Sequence, residues 1–283
     1  VSAGRGRLLD GGCRACRLRK RCGGSRSSTV PPEHLKRLQR RLVDRGFREV
    51  VLPEAAHGFR PGRSIVSNAR PHAGQRVVMN VDIDDFFAST HYGLIVSACR
   101  KLYGGKPSRA ATLLAADVCS YQGALPTGAP SSPDIGNLVL ASVDRALTKV
   151  CARRGVGYMR YADDLTFSGN GGLTRLLPFV TRLLERKGYR LDDKKLNIFR
   201  RGRRQVVTGL VVNHAPNLPR ADRRRLRAAV HRRCRGGVPE WHGKPISDAV
   251  LRGRLALLAM CDPKAAEPLV RDLSAALAAD GGR

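Results

Sequence analysis

The sequence predicts an α+β protein in which an antiparallel sheet with flanking helices precedes a helical C-terminal part. The first observation is an apolar run from Val77 to Val81 that leads directly into acidic residues and predicts a buried strand. The second is the stretch from Tyr158 to Phe167, where residues that favour extended backbone flank a turn at Ala162, which predicts a hairpin. The third is the helical pattern that begins near residue 219.

The elements follow in a clear order along the chain. A basic amphipathic helix begins after Pro31, with Leu35, Leu38 and Leu42 on one face. A Gly/Pro-rich loop from residue 123 leads into a long helix that starts near Ser132 to Asp134. The other predicted segments are helices at 92–120 with a break at GGKPS, a helix at 172–187, a strand at 189–199, a strand pair at 204–213 and the C-terminal helices.

Composition and charge indicate a folded protein with a polyanionic partner. Hydrophobic residues make up 42% of the 283 residues, which is enough for a large core. The net charge is +29, from 52 Lys and Arg against 23 Asp and Glu, so nucleic acid is the first candidate partner and an anionic membrane surface the second. Aromatic residues are only 5%, which argues against a single-strand binder that works by base stacking.

The lack of a recognisable targeting signal and the pattern of cysteines favour a cytoplasmic protein. The sequence has no uninterrupted apolar run of spanning length and no leader with a cleavage site, so we expect a soluble, unexported protein with no membrane partner. Most cysteines are scattered through apolar or basic segments, as expected of reduced thiols. These are Cys99, Cys119, Cys151, Cys234 and Cys261.

Residues 1–30 are rich in Gly, Arg and Ser and are predicted to form a basic, poorly ordered arm. Within it Cys13, Cys16 and Cys22 have the spacing C-x2-C-x5-C, and with His34 they would make a tetrahedral zinc site. The alternative is unpaired thiols in a flexible arm. We favour the alternative because there is no second C-x-x-C and the spacing to His34 is loose.

Three acidic residues are the candidate catalytic group. Asp82 ends the predicted buried strand, and Asp163 and Asp164 lie at the hairpin turn, so the three carboxylates converge if these strands are neighbours. Mg2+ takes oxygen ligands, and two such ions clamp the attacking and leaving oxygens of phosphoryl transfer. The simpler alternatives are a solvated turn for the hairpin pair and a helix N-cap for Asp82, although Asp84 or Asp85 fits the cap better.

Five motifs then show a resemblance to a known family. VDIDDFF (81–87), LPTGAPSSPDIGN (125–137) and YADDLTFSG (161–169) resemble, in order and spacing, the palm motifs of reverse transcriptases. NARPH (68–72) and VTG (207–209) resemble the N-A-x-x-H and V-T-G elements of bacterial retron reverse transcriptases. The resemblance covers roughly residues 26–275 and implies a right-hand polymerase, with fingers and palm at 31–213 and a helical thumb at 214–283.

The resemblance also implies roles for residues near the acidic group. Asp82, Asp163 and Asp164 match the family's metal-binding triad, which holds two Mg2+ ions. Phe87 matches the bulky side chain that crowds the sugar 2′-position and favours deoxynucleotides; a core aromatic is the simpler alternative.

Four further residues match nucleotide-binding positions of the family. Thr127 and Gly128 belong to the loop that positions template and nucleotide, although many relatives carry Gln in place of Thr127. Lys195 matches a lysine near the triphosphate with a proton-donor role, and a solvated charge is an equal alternative. Arg26 matches the triphosphate-binding arginine of the fingers, but relatives carry a longer region ahead of it.

Template and RNA contacts are expected at several further positions. Arg60 and Arg63 lie on a Gly/Pro loop suited to phosphate contacts, although solvated arginines fit it equally. The Arg-rich stretch 219–237 favours contact with a phosphate backbone over a merely solvated face, and in the family this region follows the RNA–DNA duplex. The other expected contacts are Asn68, His72, Ser132, Asn137, Thr208, Arg223, Arg224 and Arg227.

The function implied by the resemblance is that of a retron-type RNA-directed DNA polymerase. Such an enzyme uses deoxynucleoside triphosphates to copy part of a structured noncoding RNA, primes from a 2′-hydroxyl of that RNA and makes branched, RNA-linked single-stranded DNA. The product is used in antiphage defence, with an accessory effector protein as a further partner. The alternatives are a group II intron or diversity-generating reverse transcriptase, or a truncated inactive relative that only binds RNA.

Overall fold

The computed structural model describes residues 13–19 and 25–281, and these form two compact units. The first unit contains residues up to 63 together with 79–198, and the second contains residues 64–78 together with those from 199 onward. This division differs from the predicted one at residue 213, because the segment 64–78 packs with the C-terminal part of the chain rather than with its sequence neighbours.

The strands and helices are numbered here in chain order. The elements before the hairpin are β1 (Arg14–Arg19), β2 (Ser25–Val30), α1 (Glu33–Arg45), α2 (Ile65–Ala69), β3 (Val77–Asp82), α3 (Phe86–Ser89), α4 (Tyr92–Cys99), α5 (Arg109–Cys119) and α6 (Ser132–Ala152). The remaining elements are β4 (Gly157–Tyr161), β5 (Asp164–Gly169), α7 (Leu177–Glu185), β6 (Asn197–Arg200), β7 (Val206–Val207), β8 (Leu210–Val211), α8 (Arg220–Cys234), β9 (Glu240–Trp241), β10 (Lys244–Pro245), α9 (Asp248–Cys261) and α10 (Pro263–Gly281).

A four-stranded sheet in the order β4-β5-β3-β6 carries the two acidic strand ends. The apolar run of β3 buries Val78, Met79 and Val81 almost completely, as its composition predicts. The predicted hairpin forms with Tyr161 opposite Asp164, so Asp164 is the first residue of β5 rather than a turn residue.

Two segments have a secondary structure that differs from the one predicted from the sequence. Of the predicted strand 189–199, only the last part forms a strand, which spans Asn197–Arg200. Before it the chain forms a 3₁₀ turn, because the Asp192 side chain accepts a hydrogen bond from the Lys194 amide. The described residues of the predicted N-terminal arm form an antiparallel hairpin, with Arg14 opposite Val30. Cys22 lies outside the described residues, so the choice between a zinc site and unpaired thiols stays a prediction.

The second unit has two apolar clusters. One joins α2 and the start of β3 to the β7–β8 hairpin through Val66, Ala69, Val78, Val207, Leu210 and Val212. The other lies among α8, α9 and α10 and includes Leu226, Leu251, Leu255, Leu258 and Leu273. Across the described part of the chain, no helix has the length and hydrophobicity needed to cross a membrane.

Candidate active site

The end of β3 and the β4–β5 turn lie side by side. The amide of Ile83 donates to the carbonyl of Asp163 at 3.2 Å, and the amide of Asp192 donates to the carbonyl of Asp82 at 2.9 Å. In addition to burial, Asp163 and Asp82 both raise the pKa of the Asp164 carboxyl, so the three side chains are near neighbours. The chain therefore brings together the acidic residues at 82, 163 and 164, as expected if the two strands are neighbours.

The electrostatics of this group are those of crowded like charges. Burial and the neighbouring Asp163 and Asp82 carboxylates together raise the pKa of Asp164 well above its ordinary value. The Lys195 ammonium lies 2.6 Å from Asp82 Oδ1 and 3.6 Å from Asp192 Oδ2, and its bond to Asp82 raises its own pKa. The partly exposed Lys195 ammonium thus lies beside a cluster of carboxylates that crowd one another, an arrangement that favours a further cation.

The donor atoms of the cluster suit Mg2+. Carboxylate oxygens are hard ligands, and Mg2+ is usually bound by one or two of them together with substrate phosphates. Within the described ranges, no three His, Cys, Asp or Glu side chains already surround a common point in the manner of a complete metal site. Asp82, Asp163 and Asp164 therefore fit the ion by their chemistry, with the remaining ligand positions left to a substrate.

A cavity of about 320 Å³ opens beside the acidic group. Asp163, Phe59, Phe87, Ser28 and Thr127 are among its lining residues. The half-buried ring of Phe87 lies 6.4 Å from that of Phe59, centroid to centroid. The cavity thus offers an apolar wall next to the Asp163 carboxylate, and apolar lining with a few polar groups is typical of a small-molecule site.

The loop before α6 contacts strand β2. The Thr127 hydroxyl accepts a hydrogen bond from the Thr29 amide and donates one to Ser28 Oγ, both at 3.0 Å. The Gly128 amide donates to the Thr29 carbonyl at 2.9 Å. A Cβ at Gly128 would lie 2.9 Å from a methyl of Val30, so glycine is needed for this close approach. Two expected nucleotide-binding residues therefore hold one wall of the cavity.

Ser132 and Asn137 are buried in the same region. The Ser132 hydroxyl donates to the Pro126 carbonyl at 2.7 Å, and the Asn137 amide donates to the Gly58 carbonyl at 2.9 Å. Their expected contact with template stays a prediction, and the bonds show that both side chains shape the loops around the cavity.

The arginines of the 57–72 segment and of β2 have separate surroundings. Arg60 donates to the carbonyls of Pro53 and Ala56, so its guanidinium holds its own loop. Arg63 pairs with Glu54. The backbone of Arg26 lies in β2, and its side chain is outside what the structure describes.

The remaining residues that are expected to contact RNA belong to the second unit. Asn68 and His72 are fully buried, and the Thr208 hydroxyl donates to the Ile65 carbonyl at 3.2 Å. On α8, Arg224 and Arg227 are exposed. Arg223, one residue before Arg224, is half-buried.

A buried ion pair beneath the turn was not found from the sequence. Arg160, in β4, is fully buried and forms a two-bond pair with Asp144 of α6, at 2.8 and 2.7 Å. The alternation of β4 was a usable signal, because it places Arg160 on the same buried face as Tyr158 and Ala162. An arginine on such a face requires an acidic partner.

Comparison with known proteins identifies a family over most of the chain. The model of the family described as reverse transcriptase (RNA-dependent DNA polymerase) matches residues 18–210. Two similar curated proteins are the retron Mx65 and Mx162 reverse transcriptases of Myxococcus xanthus, 38% and 36% identical over 89% and 86% of this chain. This chain spans 62% and 56% of their lengths. The retron Ec86 reverse transcriptase of Escherichia coli is 28% identical over 86% of this chain and 74% of its own length.

Solved structures show the same fold. A telomerase from Candida albicans, in complex with a fragment of telomeric RNA, aligns over 92% of this chain and 56% of its own with a TM-score of 0.52. An apo telomerase from Candida tropicalis, truncated from its C-terminal domain, aligns over 75% of this chain and 55% of its own with a TM-score of 0.51. At 8% identity, both matches concern the fold alone. They agree with the predicted arrangement of an antiparallel sheet and helices.

Proposed function

This chain belongs to the reverse transcriptase family, and within it to the retron reverse transcriptases, and from that premise we propose that it is an RNA-directed DNA polymerase. The observation that carries the proposal is the meeting of Asp82, Asp163 and Asp164 beside a cavity walled by Phe87. Carboxylates that crowd one another next to a nucleotide-sized cavity suit phosphoryl transfer.

Each residue around the cavity has a role in this proposal. Two Mg2+ ions, when held by the carboxylates, would supply the positive charge that phosphoryl transfer needs. The ring of Phe87 crowds the sugar 2′-position and selects deoxynucleotides, and Thr127 with Gly128 holds the part of the cavity wall that contacts β2. Lys195 pairs with Asp82, and its proposed role is to approach the triphosphate and give a proton to the leaving group.

The RNA partner is proposed from charge and family. The net charge of +29 provides the counter-charge for a polyanion. Exposed Arg224 and Arg227, with half-buried Arg223, are proposed to contact the phosphate backbone of the RNA–DNA duplex. Asn68, His72 and Thr208 shape the second unit and are proposed to act in recognition of the cognate RNA.

The finer features of the family extend the proposal. We propose that the template and the primer are one structured noncoding RNA, that synthesis starts from a 2′-hydroxyl and that the product is branched RNA-linked DNA. By analogy with the family, we also propose a use in antiphage defence with an accessory effector protein. RNA that copurifies with the protein from its host, sequenced before and after debranching, tests the priming claim.

The polymerase claim is tested by primer extension with a matched control. The purified protein, Asp163→Asn and Asp84→Asn are compared on an RNA template with a labelled DNA primer, deoxynucleotides and Mg2+. Asp84 is an exposed acid of the same motif, two residues from Asp82. We expect Asp163→Asn to lose roughly 100-fold or more of the extension rate and Asp84→Asn to keep it.

Thermal unfolding supplies a second readout that does not depend on turnover. Mg2+ should raise the melting temperature of the wild type and of Asp84→Asn more than that of Asp163→Asn, because a ligand stabilises the folded state that binds it. A folded wild type that extends no primer on this template or on copurified RNA would favour the alternative, an inactive relative that only binds RNA.

A further inference from the structure

The turn that carries Asp163 is attached to a buried guanidinium. Arg160 makes four hydrogen bonds from a fully buried position. Two of them form the pair with Asp144, whose Oδ1 also accepts the Tyr158 hydroxyl at 2.8 Å. The guanidinium is therefore fixed in the plane that the Asp144 carboxylate sets.

The other two bonds reach the turn and helix α6. Arg160 Nη1 donates to the Ala162 carbonyl at 2.7 Å and to Asn137 Oδ1 at 3.1 Å. Ala162 has a φ of 59°, a left-handed conformation that a residue with a Cβ seldom adopts. Its carbonyl belongs to the peptide that joins it to Asp163. The guanidinium thus holds that peptide in a conformation the sequence alone disfavours.

A second contact restrains the turn from the opposite side. The His57 amide donates to the Arg160 carbonyl, and the Arg160 amide donates to the Ala55 carbonyl, each at 2.7 Å. This pairing brings Gly58 so close that a Cβ there would lie 2.3 Å from the Ala162 nitrogen. Asn137 joins the two contacts, since its amide donates to the Gly58 carbonyl while its oxygen accepts from Arg160.

We propose that Arg160 is a positioning residue, which sets the spacing of the catalytic carboxylates by holding the Ala162–Asp163 peptide. Stability alone does not require this arrangement, because a well-packed apolar pair often replaces a buried ion pair without loss. An apolar pair cannot replace the planar guanidinium, which donates at once to the Asp144 carboxylate, the Asn137 side-chain oxygen and the Ala162 carbonyl.

Two variants separate positioning from stability. Arg160→Lys keeps the charge but lacks the fork that reaches Asp144 and the Ala162 carbonyl together. The triple variant Arg160→Met, Asp144→Leu, Tyr158→Phe removes the polar groups as a set and leaves no buried charge unpaired. We expect both to fold, with kcat lowered about 10-fold or more and the KM for primer–template within about 2-fold of wild type.

Metal binding gives a readout independent of turnover. Binding of Mn2+, followed by the loss of the free-ion electron paramagnetic resonance signal, is compared for the wild type and both variants. We expect each variant to bind about 10-fold more weakly, as happens when the residues that orient metal ligands are changed. Gly58→Ala should weaken Mn2+ binding similarly, because its Cβ displaces the turn while the ion pair stays intact.

A matched destabilised control excludes a general effect of stability. Leu184→Ala removes a fully buried side chain of α7 and should lower the melting temperature while leaving Mn2+ affinity and kcat near wild type. Wild-type Mn2+ affinity in a folded Arg160→Lys or triple variant would overturn the proposal. If neither variant folds, Asn137→Ala, which keeps the ion pair and removes one Nη1 acceptor, decides by the same criterion.

The inference rests on the proposed polymerase function, and its failure is distinguishable from a failure of that function. If the wild type extends no primer, the function is rejected. If the wild type extends while the Arg160 variants match it in kcat and Mn2+ affinity, only the positioning role is rejected.

Discussion

Two charged clusters lie next to each other on the β4–β5 hairpin, and they are built in opposite ways. Beneath the turn, the charges of Arg160 and Asp144 are matched and saturated with hydrogen bonds. At the turn, Asp163 and Asp164 crowd Asp82, with Lys195 as a nearby ammonium. The first cluster is complete within the protein, whereas the second favours an added cation.

The difference shows how one hairpin serves both rigidity and chemistry. A saturated network in a low-dielectric interior fixes geometry, because every displaced group loses a partner. Crowded carboxylates cost stability in the free protein, and this cost is returned when a cation binds. The matched cluster thus restrains the turn that the like-charged cluster would otherwise push apart.

The largest expected effect comes from breaking the matched cluster. Asp144→Ala leaves the Arg160 guanidinium buried without its carboxylate, which should lower the free energy of unfolding by about 3–5 kcal/mol. Urea unfolding measures the loss. Asp117→Ala on α5 removes a half-buried carboxylate that accepts a hydrogen bond from the Tyr92 hydroxyl, and should cost about 1 kcal/mol. Equal losses in the two variants would contradict the contrast.

Removing a carboxylate from the like-charged cluster should have the opposite sign. At pH 8 with a chelator present, Asp164→Asn should raise the free energy of unfolding by about 1–2 kcal/mol, because it relieves the repulsion from Asp163 and Asp82. The exposed Asp193→Asn should stay within about 0.5 kcal/mol of wild type. A destabilised Asp164→Asn protein would show that the acidic group is not under repulsion.

The two clusters were unequally predictable from the sequence. Acids at the end of an apolar strand and at a hairpin turn are visible in one short window each, so Asp82, Asp163 and Asp164 were found. The pair of Arg160 with Asp144 depends on a helix and a strand packing face to face. Local patterns show that Arg160 needs a partner, but not which acid supplies it.

Longer-range packing set the other limits. The predicted boundary at 213 follows the chain, whereas Val66 and Val78 pack against Val207 and Val212 across more than a hundred residues of sequence. The sequences of β1 and β2 also lack the alternation of apolar and polar residues that would predict these strands. The described contacts of the β1–β2 hairpin with the loop at Thr127 and Gly128 become visible only in three dimensions.

Thr127 allows a comparison with the two charged clusters, because its hydroxyl holds β2 by hydrogen bonds that involve no charged group. Thr127→Val keeps the shape but loses the bonds to Thr29 and Ser28, so we expect the KM for deoxynucleotides to rise about 3- to 10-fold with kcat nearly unchanged. Thr127→Ser retains the hydroxyl and should stay near wild type. Steady-state kinetics of primer extension measure both, and an unchanged KM in Thr127→Val would contradict a role of this hydroxyl in nucleotide binding.

The smallest expected effect concerns Asp134, a lone carboxylate in the first turn of α6. Burial raises its pKa to about 6, while the nearby Arg48 guanidinium lowers it and the Asp44 carboxylate raises it. In the unfolded chain the same group titrates near 3.8. The folded protein therefore favours the protonated form, and the cost of ionisation is absent below about pH 4, grows through the interval and is complete above pH 6.

Asp134→Asn should accordingly be neutral at pH 3.5 and stabilising at pH 7.5, by about 1 kcal/mol once solvent screening and the lost helix-dipole interaction are allowed for. Melting temperatures of the variant and the wild type across this range measure the difference. The exposed Asp193→Asn is the control, because removal of a surface charge should change stability little. A difference that shrinks as pH rises would mean that Asp134 is ionised at no cost and behaves like the matched cluster, in which the protein itself supplies the compensating charge.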